Sequence, residues 1–279
     1  MNKTLLKSVR EYKKQSFLTP FFVILEVFME VLIPLEMAKI IDVGIANGNL
    51  NYIIQRGIIL VAMAMLALFF GVTAGNMAAV AAAGYSKNLR HDIFYKIQQF
   101  SFKNIDHFST SGLVTRMTTD VTNVQNAYQL LIRLAVRTPL MILFSVIMAM
   151  TINPKMAMIF LCILPILAAV LFGIAMHVHP IFKRIFKKYD ALNNSVQENV
   201  AGIRVVKSFV REAYETEKFD KAAEEVRKDF TFVEKILAFN NPTMMFCMYL
   251  SMFLVYYLGA RIIVNTGATE LTTGQLSSL

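Results

Sequence analysis

Five apolar stretches dominate this chain, near residues 17–45, 53–83, 130–152, 156–182 and 236–264. Each is long enough to cross about 30 Å of hydrocarbon, which takes roughly 20 helical residues. Backbone N–H and C=O groups facing lipid must be satisfied within their own segment or in a closed barrel. Runs this long and continuous predict helices. The third is the weakest, because Arg133 and Arg137 occupy its beginning. Apolar residues make up 56% of the 279 and charged residues 17%, against about 45–50% and a quarter in soluble domains. A water-soluble fold of this length has no interior for that much apolar surface. The expected class is an all-α membrane protein with five full spans.

Orientation follows from the basic residues. Five lie within residues 1–15, five within 84–129 and twelve within 183–235, so 22 of the 28 Lys and Arg fall on one predicted side. That side is expected to be cytoplasmic, with the N-terminus there. The links at Asn47-Gly48-Asn49 and Asn153-Pro154 are expected outside. The net charge of +9 thus reads as a topology signal, and no nucleic-acid partner is expected. Leu5, Leu6, Val9 and Tyr12 share a helical face, which suits a short helix in the membrane interface; a disordered basic start is the other reading.

The two long connections, 84–129 and 183–235, are expected to be helical. All seven prolines lie outside 35–138 and 181–241, and a structureless loop of that length is improbable. Leu192, Val196, Val200, Ile203, Val206 and Val210 recur every three or four residues, as on one face of a helix. Folded down and back, the second connection would reach roughly 40 Å beyond the membrane. Helices near 53–105 and 183–235 are therefore expected to pass well beyond the apolar belt.

Few side chains in the spans could carry chemistry. Glu26, Glu30 and Glu36 lie in the first, and Glu26 and Glu30 are one turn apart on one face. Ionised carboxylates at this depth face a cavity or a partner. Two readings stand: a cation-attracting wall of a substrate path or proton site, or carboxylates paired with a base on a neighbouring helix or simply protonated. His177 and His179 point to nearly opposite sides of a helix, and Cys162 and Cys247 sit inside apolar runs; neither pair suggests a metal or redox site. Gly71-Val72-Thr73-Ala74-Gly75 is a small-xxx-small pattern that permits close helix approach.

Four stretches resemble the transmembrane domain of half-size ABC exporters, the group of bacterial multidrug and lipid exporters and P-glycoprotein. They are Pro34-Leu35-Glu36-Met37-Ala38-Lys39-Ile40-Ile41-Asp42, His107-Phe108-Ser109-Thr110-Ser111-Gly112-Leu113-Val114-Thr115-Arg116-Met117, Glu198-Asn199-Val200-Ala201-Gly202-Ile203-Arg204-Val205-Val206-Lys207-Ser208-Phe209, and Thr272-Thr273-Gly274-Gln275-Leu276. The likeness runs from about residue 15 to the end, with the last stretch approaching a sixth helix. Residues 1–279 then form one transmembrane domain, with 1–15 as an N-terminal segment and 84–129 and 183–235 as its cytoplasmic loops.

The resemblance implies a nucleotide-binding domain carrying ATP and Mg, a second transmembrane subunit forming a homo- or heterodimer, membrane lipids and a small-molecule substrate. No G-x-x-x-x-G-K-[ST] phosphate loop occurs in these residues, so ATP hydrolysis is expected on sequence beyond them or on another chain. No catalytic or metal site is expected on this chain. Family coupling helices would fall at about 106–112 and 211–219, making Asp106, Phe108, Ser109, Glu212, Tyr214 and Glu215 candidate contacts to the ATPase domain. Glu26 and Glu30 are the candidates for the substrate path. The expected function is ATP-driven export of drugs, lipids or peptides by alternating access, in a bacterial plasma membrane. The rival is a non-transporting membrane protein, such as a channel, a regulatory subunit or an inactive remnant.

Overall fold

The computed structural model describes residue 5, residues 7–101 and residues 108–279. Among the described residues all regular structure is helical, and five continuous helical stretches are long and apolar enough to cross a membrane. A 3-10 turn at Lys7–Tyr12 leads into α1 (Lys13–Lys39), which ends in a wide π turn at Ile40–Ile45. α2 spans Leu50–Gln98; α3 (Thr110–Thr115) continues through a second π turn, Arg116–Asp120, into α4 (Val121–Ile152). α5 (Pro154–Ala201), α6 (Ile203–Ser208), α7 (Glu212–Leu237), α8 (Asn240–Thr266) and α9 (Thr273–Ser278) complete the chain.

Local chemistry explains the breaks. Gly48 takes φ 61° in the α1–α2 link, a left-handed conformation that costs glycine nothing, and the Asn49 side chain then accepts from the Tyr52 amide at 3.1 Å. Ser109 caps α3 through the Gly112 amide at 3.1 Å, satisfying one of the free donors at a helix start. Pro242 lies in the first turn of α8, where its missing N–H does least harm.

Two compact units make up the chain: Met1–Ala157 with Leu258–Leu279, and Met158–Tyr257. In the first, α1, α2 and α4 pack around Val23, Val27 and Ala74, with Phe22, Val136, Leu140 and Phe144 against them. Toward the basic end a second cluster joins Val9, Ala81, Ala82, Tyr85, Leu89, Val121 and Tyr128. Val9 belongs to the 3-10 turn, and Ser8 and Arg10 bond to Asp92 of α2 at 2.7 and 2.5 Å. The apolar face of the start therefore packs on protein, which neither sequence reading foresaw. At the other end of this unit, Glu36 pairs with Arg56 at 2.9 Å and Lys155 with Glu270 at 2.9 Å.

The second unit is a hairpin. Val178, Ile181 and Ile185 of α5 pack on Val233 of α7, with Phe182, Phe230 and Ile236 around them. Beyond this cluster Lys188 bridges Asp229 at 2.9 Å and Glu225 at 3.3 Å. The hydrogen bond to Asp229 and the pull of both carboxylates hold its ammonium above the usual lysine range. Two lengths differ from expectation. α2 ends at Gln98, short of residue 105. α5 ends at Ala201, so its extension past residue 182 is about 28 Å. The reversal takes up residues 202–211, including the short α6, which the 40 Å estimate had counted within the hairpin legs.

Candidate functional site

One charged cluster lies within the apolar part of the first unit. Arg137 of α4 donates to Glu26 Oε1 at 2.6 Å and to both carboxylate oxygens of Glu30 at 2.8 and 2.9 Å. Proximity of Glu26 and Glu30 on one face of α1 lets a single guanidinium fork between them. Glu26 is only 6% exposed, and its Oε2 accepts no hydrogen bond. Of the two sequence readings, the geometry realises pairing with a base on a neighbouring helix. Arg137 could have been found: two carboxylates in one span need a cation, and Arg133 and Arg137 lie in the beginning of another apolar run.

The glycines of α2 make room for this cluster. A Cβ on Gly71 would sit 2.8 Å from Glu26 Oε1, and one on Gly75 would sit 3.4 Å from Arg133 Nη1. The small-xxx-small pattern thus admits charged side chains between helices, beyond letting backbones approach. Asn126, Gln129, Arg133 and Arg137 line an open cleft of about 570 Å³ with Leu130 and Leu134.

A second site is the tip of the hairpin. α5 stops at Gly202, the six-residue α6 crosses the turn, and α7 begins at Glu212. Residues 211–219, expected to form a separate transverse helix, are instead the cap Arg211 and the opening turns of the 26-residue α7. The short helix is Ile203–Ser208 instead, because Gly202 ends α5 and Val210, at φ 53°, reverses the chain. A positive φ is a genuine outlier for a β-branched residue. Val205, Phe209, Val210 and Tyr214 are all exposed, Phe209 at 73% and Val210 at 80%. Sequence reasoning placed Val210 on a helical stripe and quoted Phe209 in a family-like stretch without naming it a contact; an apolar period continuing past Gly202 was the available signal.

The other candidates divide between these places. Tyr214 is exposed with the Arg211 guanidinium over its ring at 5.7 Å. Glu215 accepts from Asn199 of α5 at 2.7 Å, tying the hairpin legs together, while Glu212 opens α7 in solvent. Phe108 stacks with Phe100 at 5.7 Å and lies 5.4 Å from the Arg116 guanidinium, beside the Ser109 cap. Asp106 lies outside the described residues.

A third constellation escaped the sequence reading. Asp42, in the π turn after α1, accepts from the Gly274 amide at 2.7 Å and from the Thr272 hydroxyl at 2.5 Å. Thr272 also caps α9 reciprocally with Gln275. Contacts across more than 200 positions carry no local sequence signal.

Residues 16–279 match the family of the ABC transporter transmembrane region. Among similar proteins is YfiB of Bacillus subtilis (strain 168), described as an uncharacterized ABC transporter ATP-binding protein, 30% identical over 92% of this chain and 46% of its own length. An uncharacterized ABC transporter ATP-binding protein of Mycobacterium tuberculosis (strain CDC 1551 / Oshkosh) is 28% identical over 78% of this chain and 38% of its own. The ATP-dependent lipid A-core flippase of Pseudomonas syringae pv. tomato is 26% identical over 63% of this chain and 29% of its own. The chain spans about half or less of the length of these relatives. With five helices able to cross a bilayer, this multi-pass membrane protein belongs to the ABC transporter transmembrane region family.

Proposed function

We propose that the chain is the membrane part of an ATP-driven exporter for hydrophobic or amphipathic compounds, working by alternating access. ATP and Mg act on a nucleotide-binding domain, and a second transmembrane subunit, identical or related, completes the path. The basic excess of residues 1–15, 84–129 and 183–235 favours a cytoplasmic N-terminus, in a bacterial plasma membrane by analogy with the bacterial relatives.

The observation that carries this reading is the apolar tip. Val205, Phe209, Val210 and Tyr214 stand exposed at the end of a charged hairpin. Leaving such side chains in water is unfavourable by roughly 25 cal/mol per Å², and clustered aromatics are frequent interface anchors. A nucleotide-binding domain seated on this tip, and on the Phe108–Ser109 turn, would convert ATP-driven motion into rigid-body movement of the helices. Glu212 and Tyr214 join that surface, and Glu215 supports it by holding α7 to α5. Glu26 and Glu30 act on the substrate path through Arg137, by setting the charge of its wall.

The test is substrate-stimulated ATP turnover in the full-length protein. Phe209→Ala and Tyr214→Ala should each leave basal turnover within twofold and cut the stimulated increment severalfold. Stimulation that survives the double substitution contradicts the coupling role of the tip; a full-length protein with no ATP turnover at all favours a membrane protein without a motor.

A further inference from the structure

The cleft along α4 has a polar lining that pairing within the chain does not use up. Asn126, Gln129, Arg133 and Arg137 line it, spaced three or four residues apart and so on one helix face. Arg137 is committed to Glu26 and Glu30. Arg133 is not: among the described residues its half-buried guanidinium makes no hydrogen bond and no ion pair, and the same holds for the amides of Asn126 and Gln129. An arginine cannot relieve this by losing its proton. It carries five donors in a planar fork suited to carboxylate or phosphate.

Position narrows the ligand. Arg133 stands three residues inside the apolar run that begins near residue 130, and Asn126 and Gln129 precede that run. Leu130 and Leu134 share the cleft. A bound molecule thus meets amides, then a fixed cation, then apolar surface. One turn deeper, two carboxylates against one guanidinium leave a net negative charge. That charge repels an anion and keeps it at the Arg133 level.

We propose that this cleft binds the anionic headgroup of an amphiphile, with its phosphate or carboxylate on Arg133. Asn126 and Gln129 take the remaining headgroup polar atoms, and Leu130 and Leu134 cover the start of the chain. The inference deepens the exporter reading by naming a substrate class, and it rests on that reading for the transport step after binding. Binding itself is separable from it.

The experiment uses the full-length protein in nanodiscs of phosphatidylcholine, without nucleotide, titrated with fluorescent phosphatidylglycerol. Arg133→Gln should weaken association about tenfold, the scale of one charge-assisted interaction. Arg133→Lys should restore most of it, and Gln129→Ala should weaken it less. Inorganic phosphate at millimolar concentration should not compete. Equal phosphatidylglycerol binding by wild type and Arg133→Gln overturns the proposal, as it would if a carboxylate of another protein segment held Arg133. Effective competition by inorganic phosphate overturns the amphiphile assignment. Coupling at the tip, measured separately by stimulated ATP turnover in the Phe209 and Tyr214 variants, stands or falls without reference to these outcomes.

Discussion

Arg137 Nη1 lies 2.6 Å from Oε1 of Glu26, joining two helices across 111 positions of sequence inside the apolar part of the molecule. With Glu30 on its other nitrogen, the one guanidinium offsets one of the two carboxylate charges that it pairs with on α1. Removing it strands two carboxylates. Arg137→Ala should therefore destabilise the protein by about 3 kcal/mol, at the low end for breaking a buried pair because about a third of the Arg137 side chain is open. Glu30→Gln should cost less, since the pair with Glu26 survives. Thermal denaturation in detergent reads both; equal midpoints for wild type and Arg137→Ala would show the cluster to be structurally idle.

Gly71 and Gly57 provide a matched comparison on α2. An added methyl at Gly71 meets Glu26 Oε1 at 2.8 Å, whereas nothing lies within 4 Å at Gly57. Gly71→Ala should lower the denaturation midpoint by displacing the carboxylate. Gly57→Ala should be neutral or raise stability by up to about 1 kcal/mol through helix propensity. The opposite order of midpoints contradicts the packing described.

Asp42 holds the start of α9 through Thr272 and the Gly274 amide. Asp42→Ala should cost about 1–2 kcal/mol, as for loss of a strong helix cap. Hydrogen exchange at residues 272–276 should accelerate while exchange in α4 stays unchanged. Uniform acceleration across the protein would mean that Asp42 supports the whole fold instead of this junction.

Orientation is open to direct labelling. After replacement of Cys162 and Cys247, a cysteine at residue 49 should react with an impermeant maleimide added outside intact cells, and one at residue 220 should not. The reverse pattern inverts the topology inferred from the basic residues.

The spans were legible because hydropathy and length act locally: Leu50–Gln98 and Pro154–Ala201 show themselves as long proline-poor or apolar helical runs. The links at Gly48 and Asn153 were legible for the same reason. The tip was only half legible. Its apolar period ran on to Val210, but the break at Gly202 and the positive φ of Val210 moved the short helix from 211–219 to Ile203–Ser208. Pairings such as Arg137 with Glu30 and Asp42 with Gly274 depend on which helices become neighbours. A single sequence states the need for a partner there and not its identity.

The central claim is that residues 202–214 seat a nucleotide-binding domain. In the full-length protein lacking Cys162 and Cys247, cysteines placed at 209, 214 or 230 would each be tested with a short bifunctional maleimide and a library of single cysteines on that domain. Cross-links are predicted from 209 and 214, changing in yield when ATP is added, and none from 230. Cross-linking absent at both 209 and 214, with and without ATP, contradicts the claim.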